Sequence, residues 1–306
     1  MEERPLNGFL VLDKPLGATS SNVVVRVRRQ LPRGTAVGHG GTLDPEASGV
    51  LPICIGPATR LFDYIIDKKK TYVAELRLGE ITDTQDGAGQ VLETRPVTAG
   101  AAEIREVLPE FTGEIEQIPP MYSAVKKDGR RLYQLARKGE TVEMPARRCR
   151  VYGIEYLEQT DERTHRIRVE CGKGVYIRTL CHDIGQRLGC GAHMASLRRT
   201  EAGIFTLKNA FTPAQVEALA AEGRLAEALL PPDAPLEHIP AVRVGEERLH
   251  AVRNGNALRA AWLEQTPPEA GTTVRVYCGA AFAGIGEVQP DGSVRFKAML
   301  LVLPRG

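Results

Sequence analysis

Short apolar segments alternate irregularly with helix-like segments along this sequence, and that spacing constrains the fold more than any other feature. Residues 8–12 and 51–55 are continuous apolar runs typical of buried strands, and residues 71–78 alternate apolar and polar side chains as a half-buried strand does. We predict further elements as helices over 20–30, 59–66, 101–108 and 213–230, a strand pair over 151–158 and 165–171, and a β-like start turning helical over 175–188. Because no regular strand-helix-strand alternation is present, we expect an α+β fold with a mixed, largely antiparallel sheet.

A glycine-rich segment of 16 residues, 34–49, separates two of the apolar runs and is predicted to be a loop. Its residues 38–45 contain one imidazole, His39, and one carboxylate, Asp44, in a setting where glycines let a bulky ligand approach the backbone. From these residues alone, Asp44 is either a nucleophile or general base, or an ordinary turn residue before Pro45. From the residues alone, a loop hydrogen bond is favoured over a catalytic role for His39.

Several classes of protein are disfavoured by what the sequence lacks. No stretch approaches the roughly 18 apolar residues of a membrane helix, and the charged start does not have the pattern of a signal peptide. The six cysteines are scattered without a CxxC pair, so we expect reduced thiols and a cytoplasmic protein. The absence of HExxH, a P-loop or GxGxxG predicts no metal and no nucleotide cofactor.

Positive charge is concentrated in one segment. Residues 121–150 hold nine Lys or Arg against three acids, a net charge of +6, which leaves −4 for the rest of a chain of net charge +2. Such a segment is typical of a phosphate-backbone contact, although charge alone is equally consistent with a solvated face.

A proline-rich segment, residues 231–240, is the best candidate for a domain boundary. Short strand signals around glycine-rich turns follow it. We therefore predict two domains, residues 1–238 and residues 239–306, the second being a small β-barrel.

Six segments stand in the order and spacing of the TruB family of bacterial tRNA pseudouridine-55 synthases, which the sequence resembles along nearly its whole length. They are GFLVLDKPLGATS, VGHGGTLDPEASGVLPICIG, KKKTYVAELRLG, PPMYSAVKKDGRRLYQLARKGE, GVYIRTLCHDIG, and NGNAL with FAGIGEV. The resemblance implies a pseudouridine synthase catalytic domain that isomerises uridine to pseudouridine at position 55 in the tRNA T-loop, without a cofactor. It also implies that the C-terminal domain is PUA-like and binds RNA.

The resemblance assigns catalytic roles to three residues. Asp44 corresponds to the aspartate of the family's GTLDP segment, which acts on the sugar or the base. Tyr72 corresponds to the tyrosine that stacks on the target base and helps to move a proton, and Arg178 to the arginine that pairs with the aspartate. Without the resemblance, Tyr72 reads as a core aromatic and Arg178 as a solvated helix residue.

Further residues are implied to bind the RNA. Tyr176 and Leu197 fall where the family lines the uracil pocket, and His39 falls where a histidine fills the stack vacated by a flipped uridine. The basic segment corresponds to an insertion that closes over the T-arm. Its predicted phosphate contacts are Lys126, Lys127, Arg130 and Arg131.

Two other functions use parts of the same sequence. A tRNA-folding module would need His39 and the basic segment but not Asp44, and a guide-RNA-dependent subunit would share the motifs. The set of Asp44, Tyr72 and Arg178 favours an enzyme, and the basic insertion favours a stand-alone monomer without guide RNA or obligate protein partner. The sequence departs from the family at two positions. Gly40 stands where the family commonly has Thr or Ser, and Glu46 stands where the family commonly has an apolar or basic residue.

Overall fold

The structure is a computed structural model and describes residues 6–66, 68–120, 122, 126–127, 130–132, 142 and 144–301. The α-helices of these residues are α1 (Ser20–Arg28), α2 (Phe62–Ile66), α3 (Ala101–Val107), α4 (Ile177–Arg187), α5 (Pro213–Ala221) and α6 (Leu249–Arg253). The strands are β1 (Gly8–Lys14), β2 (Val37–His39), β3 (Ala47–Ile55), β4 (Lys70–Leu78), β5 (Glu80–Thr82), β6 (Val91–Thr94), β7 (Gly113–Gln117), β8 (Lys126–Lys127), β9 (Arg130–Arg131), β10 (Arg147–Gln159), β11 (Thr164–Cys171), β12 (Ala192–Ala202), β13 (Phe205–Thr206), β14 (Leu229–Leu230), β15 (Ala241–Val244), β16 (Thr273–Cys278), β17 (Ala281–Val288) and β18 (Val294–Met299).

A ten-stranded mixed sheet forms the centre of the molecule. Its main path is β14-β1-β3-β12-β4-β11-β10-β7, with β2 paired to β3 and β13 to β12. The β3–β12 pairing is parallel and the other pairings of this sheet are antiparallel. The expectation of an α+β fold with a largely antiparallel sheet is confirmed.

The two faces of β1 and β3 are buried by different partners. Leu10 and Leu12 pack with Val23 and Val27 of α1, whereas Phe9 and Val11 face a second cluster that includes residues of the C-terminal strands. This alternation follows from the period of two along a strand, which sends successive side chains to opposite faces. A third cluster joins α3 and α4 to strands β4, β11 and β12.

Some elements of the structure differ from what the sequence predicts. The predicted loop over 34–49 is shorter, because β2 occupies Val37–His39 and β3 already begins at Ala47. The helix predicted over 213–230 ends at Ala221, because Gly223 adopts a positive φ of 71° that reverses the chain. The strand β12 was not predicted at all.

The C-terminal residues form an open four-stranded sheet, β15-β16-β17-β18, whereas a closed barrel was expected. Leu263 bridges to Val244 on one edge strand and Leu258 bridges to Val294 on the other. These are isolated bridges in an irregular segment, so within the described residues no continuous ladder closes the sheet into a barrel. The prediction of a small β-domain is otherwise confirmed.

Candidate active site

The loop between β2 and β3 is pinned by the first turn of α1. The hydroxyl of the buried Ser20 accepts a hydrogen bond from the Leu43 amide and donates one to the Leu43 carbonyl, both at 2.9 Å. The Gly17 amide donates to the Pro45 carbonyl at 2.8 Å. The residue between these anchors, Asp44, is therefore held at a fixed position in the loop.

The carboxylate of Asp44 is paired with the guanidinium of Arg178. Arg178 Nη2 lies 3.0 Å from Asp44 Oδ2, and the Asp44 side chain remains 38 % exposed while that of Arg178 is 5 % exposed. Burial raises the pKa of Asp44, and the charge of Arg178 acts in the opposite direction. The carboxylate is thus oriented by a buried cation while part of it still faces open space.

A second carboxylate, Asp86, shares the same guanidinium. Its Oδ2 lies 3.2 Å from Arg178 Nη1, and its Oδ1 accepts hydrogen bonds from Thr84 and from the Ala88 amide. The neighbouring residue Gln85 has a φ of 63°, a conformation that is costly for a residue with a side chain and that belongs to the turn burying Asp86. Asp86 was not predicted from the sequence; the polar, glycine-containing stretch around it was the available signal.

Backbone carbonyls complete the contacts of Arg178. Its Nη1 donates to the Thr84 carbonyl at 3.2 Å, and its Nη2 donates to the Tyr122 carbonyl at 2.8 Å. Two carboxylates and two carbonyls fix the plane of the guanidinium, which makes the position of Asp44 dependent on several segments of the chain.

Tyr72 lies on β4 beside a second buried arginine, Arg199 of β12. Arg199 is 1 % exposed and donates from Nε to the Val50 carbonyl at 2.6 Å and from Nη2 to the Gly41 carbonyl at 3.2 Å. Burial raises the pKa of Tyr72, and Arg199 opposes that shift both by its charge and by a side-chain hydrogen bond. The phenol therefore stays protonated at neutral pH and can donate a hydrogen bond. Arg199 was also not predicted from the sequence.

These groups surround one open cavity of about 330 Å³, a size suited to a small ligand or a single nucleotide. Of the predicted residues, it brings together Asp44, Tyr72, Tyr176, Arg178 and Leu197. The remaining lining residues come from the loop before β3, from the start of β4, from the segment that precedes α4, and from β12: Gly41, Thr42, Leu43, Ile66, Lys70, Gly172, Lys173, Gly174, Val175, Ile177 and Arg199.

Of the remaining predicted binding residues, His39 does not line this cavity. His39 ends β2, and its Nδ1 is buried without a hydrogen-bond partner among the described residues. Burial lowers the pKa of His39, as does the nearby charge of Arg199, so the imidazole is neutral near pH 7.

The basic segment is only partly described. Lys126 and Lys127 pair with Arg131 and Arg130 in the short antiparallel ladder of β8 and β9. The side chains of these four residues lie outside the part of the chain that the structure describes. Most of residues 121–146 lie outside it as well. The predicted phosphate contacts remain a prediction.

A side chain at Gly40, where the family commonly has Thr or Ser, would meet a neighbouring side chain in this structure. A Cβ on this residue would lie 2.6 Å from the Cδ1 atom of Ile65. A larger residue at position 40 would require the end of the Ile65 side chain to move. Glu46, the second departure, is exposed and does not line the cavity.

Metal binding and membrane insertion find no support in the part of the chain that the structure describes. These residues contain no group of three His, Cys, Asp or Glu side chains that could hold a metal ion. None of their helices is long and apolar enough to cross a membrane.

Comparison with known proteins gives matches over nearly the whole chain. The sequence profile described as TruB family pseudouridylate synthase (N terminal domain) matches residues 28–177, and the tRNA pseudouridylate synthase B C-terminal domain matches 178–237. A third profile, pseudouridine synthase II TruB, C-terminal, matches residues 240–300. A tRNA pseudouridine synthase B of Pseudomonas fluorescens (strain Pf0-1) is 45 % identical over 300 residues, covering 97 % of this chain and 96 % of the relative. That of Cupriavidus pinatubonensis is 45 % identical over 305 residues, covering 96 % of each.

Among solved structures, an H/ACA RNP bound to a substrate RNA containing 2′-deoxyuridine contains a chain with the same fold. It superimposes with a TM-score of 0.73 at 27 % identity, covering 99 % of this chain and 89 % of that chain. The family models and relatives that match this chain are named as pseudouridylate or pseudouridine synthases, which gives its class as an RNA pseudouridine synthase. The chain belongs to the TruB family of pseudouridylate synthases.

Proposed function

We propose that this chain isomerises uridine to pseudouridine in tRNA, at position 55 of the T-loop. The observation that carries the proposal is the Asp44 carboxylate held 3.0 Å from Arg178 at the wall of an open cavity. The curated relatives, 45 % identical over almost their full length, are named as tRNA enzymes and support tRNA as the substrate.

The proposed reaction rearranges one nucleotide without adding or removing an atom. The bond between uracil N1 and ribose C1′ breaks, the base turns, and a bond between C5 and C1′ forms. The proton lost from C5 is balanced by a proton gained at N1. The balanced equation therefore requires neither an oxidant nor a second substrate.

Asp44 is the proposed catalytic carboxylate. It can attack the sugar, attack the base or assist formation of a glycal, and each route requires it to be ionised with an oxygen free to react. Arg178 favours the ionised form and fixes one oxygen, which leaves the other side of the carboxylate toward the cavity.

Three cavity residues are proposed to hold the uracil. Tyr72 stacks on the base and, because its phenol stays protonated, can help to move the proton from C5. Tyr176 and Leu197 form the adjoining wall. These contacts would fix the base close to Asp44 before and after it turns.

Binding of tRNA is proposed to use residues outside the cavity. A uridine inside a folded T-arm must leave its stack to reach Asp44, at a cost of a few kcal/mol, and the neutral imidazole of His39 would fill the vacated place. Lys126, Lys127, Arg130 and Arg131 would contact phosphates of the T-arm. The domain of residues 239–306 would bind RNA farther from the target uridine.

We further propose that the protein acts as a monomer, with neither a guide RNA nor an obligate protein partner. The relatives that carry tRNA enzyme names match it along their whole length, which supports the stand-alone form. Because its substrate is tRNA and all six of its cysteines are free thiols, we expect it to work in the cytoplasm.

The experiment that tests this function follows tritium released from 5-tritiated uridine in a T-arm stem-loop. We expect release of one equivalent per target uridine, since the C5 proton is lost when C5 joins the ribose. A matched stem-loop labelled only at another uridine is the control. No release from the target position, with binding intact, would contradict the proposal.

A further inference from the structure

The basic insertion is joined to the main sheet at a single pair of residues. Its chain leaves the sheet at Gln117, the last residue of the edge strand β7, and returns at Arg147, the first residue of β10. Gln117 and Arg147 are opposite one another in the antiparallel ladder. These two residues are the neck of the insertion.

The side chain of Gln117 points inward, although β7 is an edge strand. The residue is 3 % exposed. Its Nε2 donates to the Tyr176 carbonyl at 3.2 Å, and its Oε1 accepts from the Tyr176 amide at 3.0 Å. One side-chain amide therefore contacts both backbone groups of Tyr176, whose carbonyl also accepts the first hydrogen bond of α4 from the Leu180 amide at 3.0 Å.

The contact with Gln117 is important because of where Tyr176 lies in the fold. It is the residue that precedes the first turn of α4, and no side chain caps the helix at this position. It also lines the cavity. The start of α4 is thus positioned by Gln117 from outside the helix.

Two residues farther along α4 is Arg178, which holds Asp44. Arg178 also donates to the carbonyl of Tyr122, at the beginning of the insertion. The neck and the beginning of the insertion therefore contact the first turn of α4 at two points, one on each side of the proline pair Pro119 and Pro120.

We propose that Gln117 is a positioning residue that couples the neck of the RNA-binding insertion to the active-site turn of α4. The Gln117 amide would fix the backbone of Tyr176, and the first turn of α4 would carry that position to Arg178 and its partner Asp44. This inference rests on the proposed function, because it concerns how the same site is aligned.

A polar side chain that only satisfies its own burial would give a different pattern of effects. Its removal would lower the free energy of unfolding and leave the reaction of the folded enzyme unchanged. A positioning residue instead changes the reaction of the bound RNA, since a small misplacement of a reacting group lowers the rate.

The decisive variant is Gln117→Met, which keeps the length of the side chain and removes both hydrogen bonds to Tyr176. We expect the single-turnover rate at saturating tRNA to fall by about tenfold to a hundredfold, with the dissociation constant of the tRNA within about threefold of the parent. The matched control is Gln159→Met, which removes a side-chain hydrogen bond to the Asp161 carbonyl at the opposite end of β10 and should react like the parent.

A second variant, Gln117→Glu, keeps the inference falsifiable if Gln117→Met does not fold. Protonated glutamic acid offers a donor and an acceptor, the two kinds of group that Gln117 uses toward Tyr176. Ionised glutamate offers only acceptors, and one of them would face the Tyr176 carbonyl. The ratio of this variant's single-turnover rate at saturating tRNA to that of the parent should rise toward one as the pH falls. The Cys149 thiol donates to Gln117 Oε1, and burial raises the pKa of that thiol, so it stays protonated throughout.

Each result decides between the alternatives. A lower saturating rate with retained binding, together with recovery of Gln117→Glu at low pH, supports the coupling. Unchanged saturating rates in both variants, or a decrease in stability alone, would overturn it while leaving the proposed function intact. A parent protein inactive on tRNA would instead contradict the proposed function and this inference with it.

Discussion

At the scale of single residues, two carboxylates contact one guanidinium. Asp44 and Asp86 both lie within 3.2 Å of Arg178. Two ionised carboxylates would carry one more negative charge than this one guanidinium neutralises. Burial raises the pKa of Asp44, and Arg178 is the main influence that lowers it. The fraction of ionised Asp44 at a given pH therefore depends on how well Arg178 is held.

This dependence predicts a pH effect for Arg178→Lys. Lysine keeps the charge but cannot contact both carboxylates and both carbonyls in one plane, so its pairing with Asp44 is weaker. Weaker pairing raises the pKa of Asp44 further. Because the proposed reaction needs ionised Asp44, the acidic limb of the single-turnover rate should move to higher pH.

The matched control for this variant is Arg187→Lys. Arg187 lies on the same helix and pairs with Glu110 on the surface, with both contacts at 2.7 Å. Its replacement should leave the acidic limb in place. An unmoved limb in Arg178→Lys would show that Arg178 does not set the protonation of Asp44.

The residues of the site differ in how clearly the sequence indicated a functional role for them. Asp44 and His39 stood out because a glycine-rich segment surrounds them, and Tyr72 and Arg178 required the family resemblance. Asp86 and Arg199 were missed because a charged residue is expected at the surface, and only the fold shows that both are buried, Asp86 against Arg178 and Arg199 against backbone carbonyls. Contacts between residues distant in sequence cannot be predicted from local pattern.

At the scale of elements, β12 shows why the sheet was only partly predictable. This strand lies between β3 and β4 in the middle of the sheet, yet its sequence AHMASLRRTEA has no regular alternation. Its register against β4 shifts between Met194 and Ser196 and again between Arg199 and Glu201. Each shift interrupts the period of two that reveals a strand, whereas β4 and β11 keep that period and were predicted.

The basic insertion is the element for which a salt-dependence measurement is decisive. The variant Lys126→Glu with Arg130→Glu should weaken tRNA binding and leave the single-turnover rate at saturating tRNA unchanged. For every phosphate that the variant no longer neutralises, the slope of log affinity against log salt should become shallower by about 0.7 to 0.9.

The control for this double variant is Arg163→Glu, in the exposed turn between β10 and β11 at the end of those strands away from the cavity. We expect it to leave the salt slope unchanged. If the slope of the double variant also matches the parent, the basic segment is a solvated face without phosphate contacts.

At the scale of the whole molecule, the C-terminal sheet shares a hydrophobic cluster with the main sheet. Ile285, Ala298 and Leu300 belong to the same cluster as Phe9 and Val11 of β1. The predicted division at residue 238 therefore cuts through apolar contacts, even though it falls in a proline-rich segment.

Deletion of residues 239–306 is thus expected to destabilise what remains. Burial of one large apolar side chain contributes about 1.5 to 3 kcal/mol, so removal of several should lower the free energy of unfolding by several kcal/mol. Urea denaturation of residues 1–238 beside the full chain measures this, with Ile285→Ala in the full chain as a milder version. Equal unfolding midpoints would show that the two parts are energetically independent.

We propose that conversion of uridine to pseudouridine in tRNA depends, in this enzyme, on the Asp44 carboxylate. The most direct measurement maps pseudouridine in unmodified tRNA after incubation with the parent protein or with Asp44→Asn, which keeps the size of the side chain and removes its charge. We predict pseudouridine at position 55 with the parent, and a rate lower by about a hundredfold or more with Asp44→Asn while tRNA binding is retained. Pseudouridine formed by Asp44→Asn at a rate within about tenfold of the parent would contradict the catalytic role of Asp44.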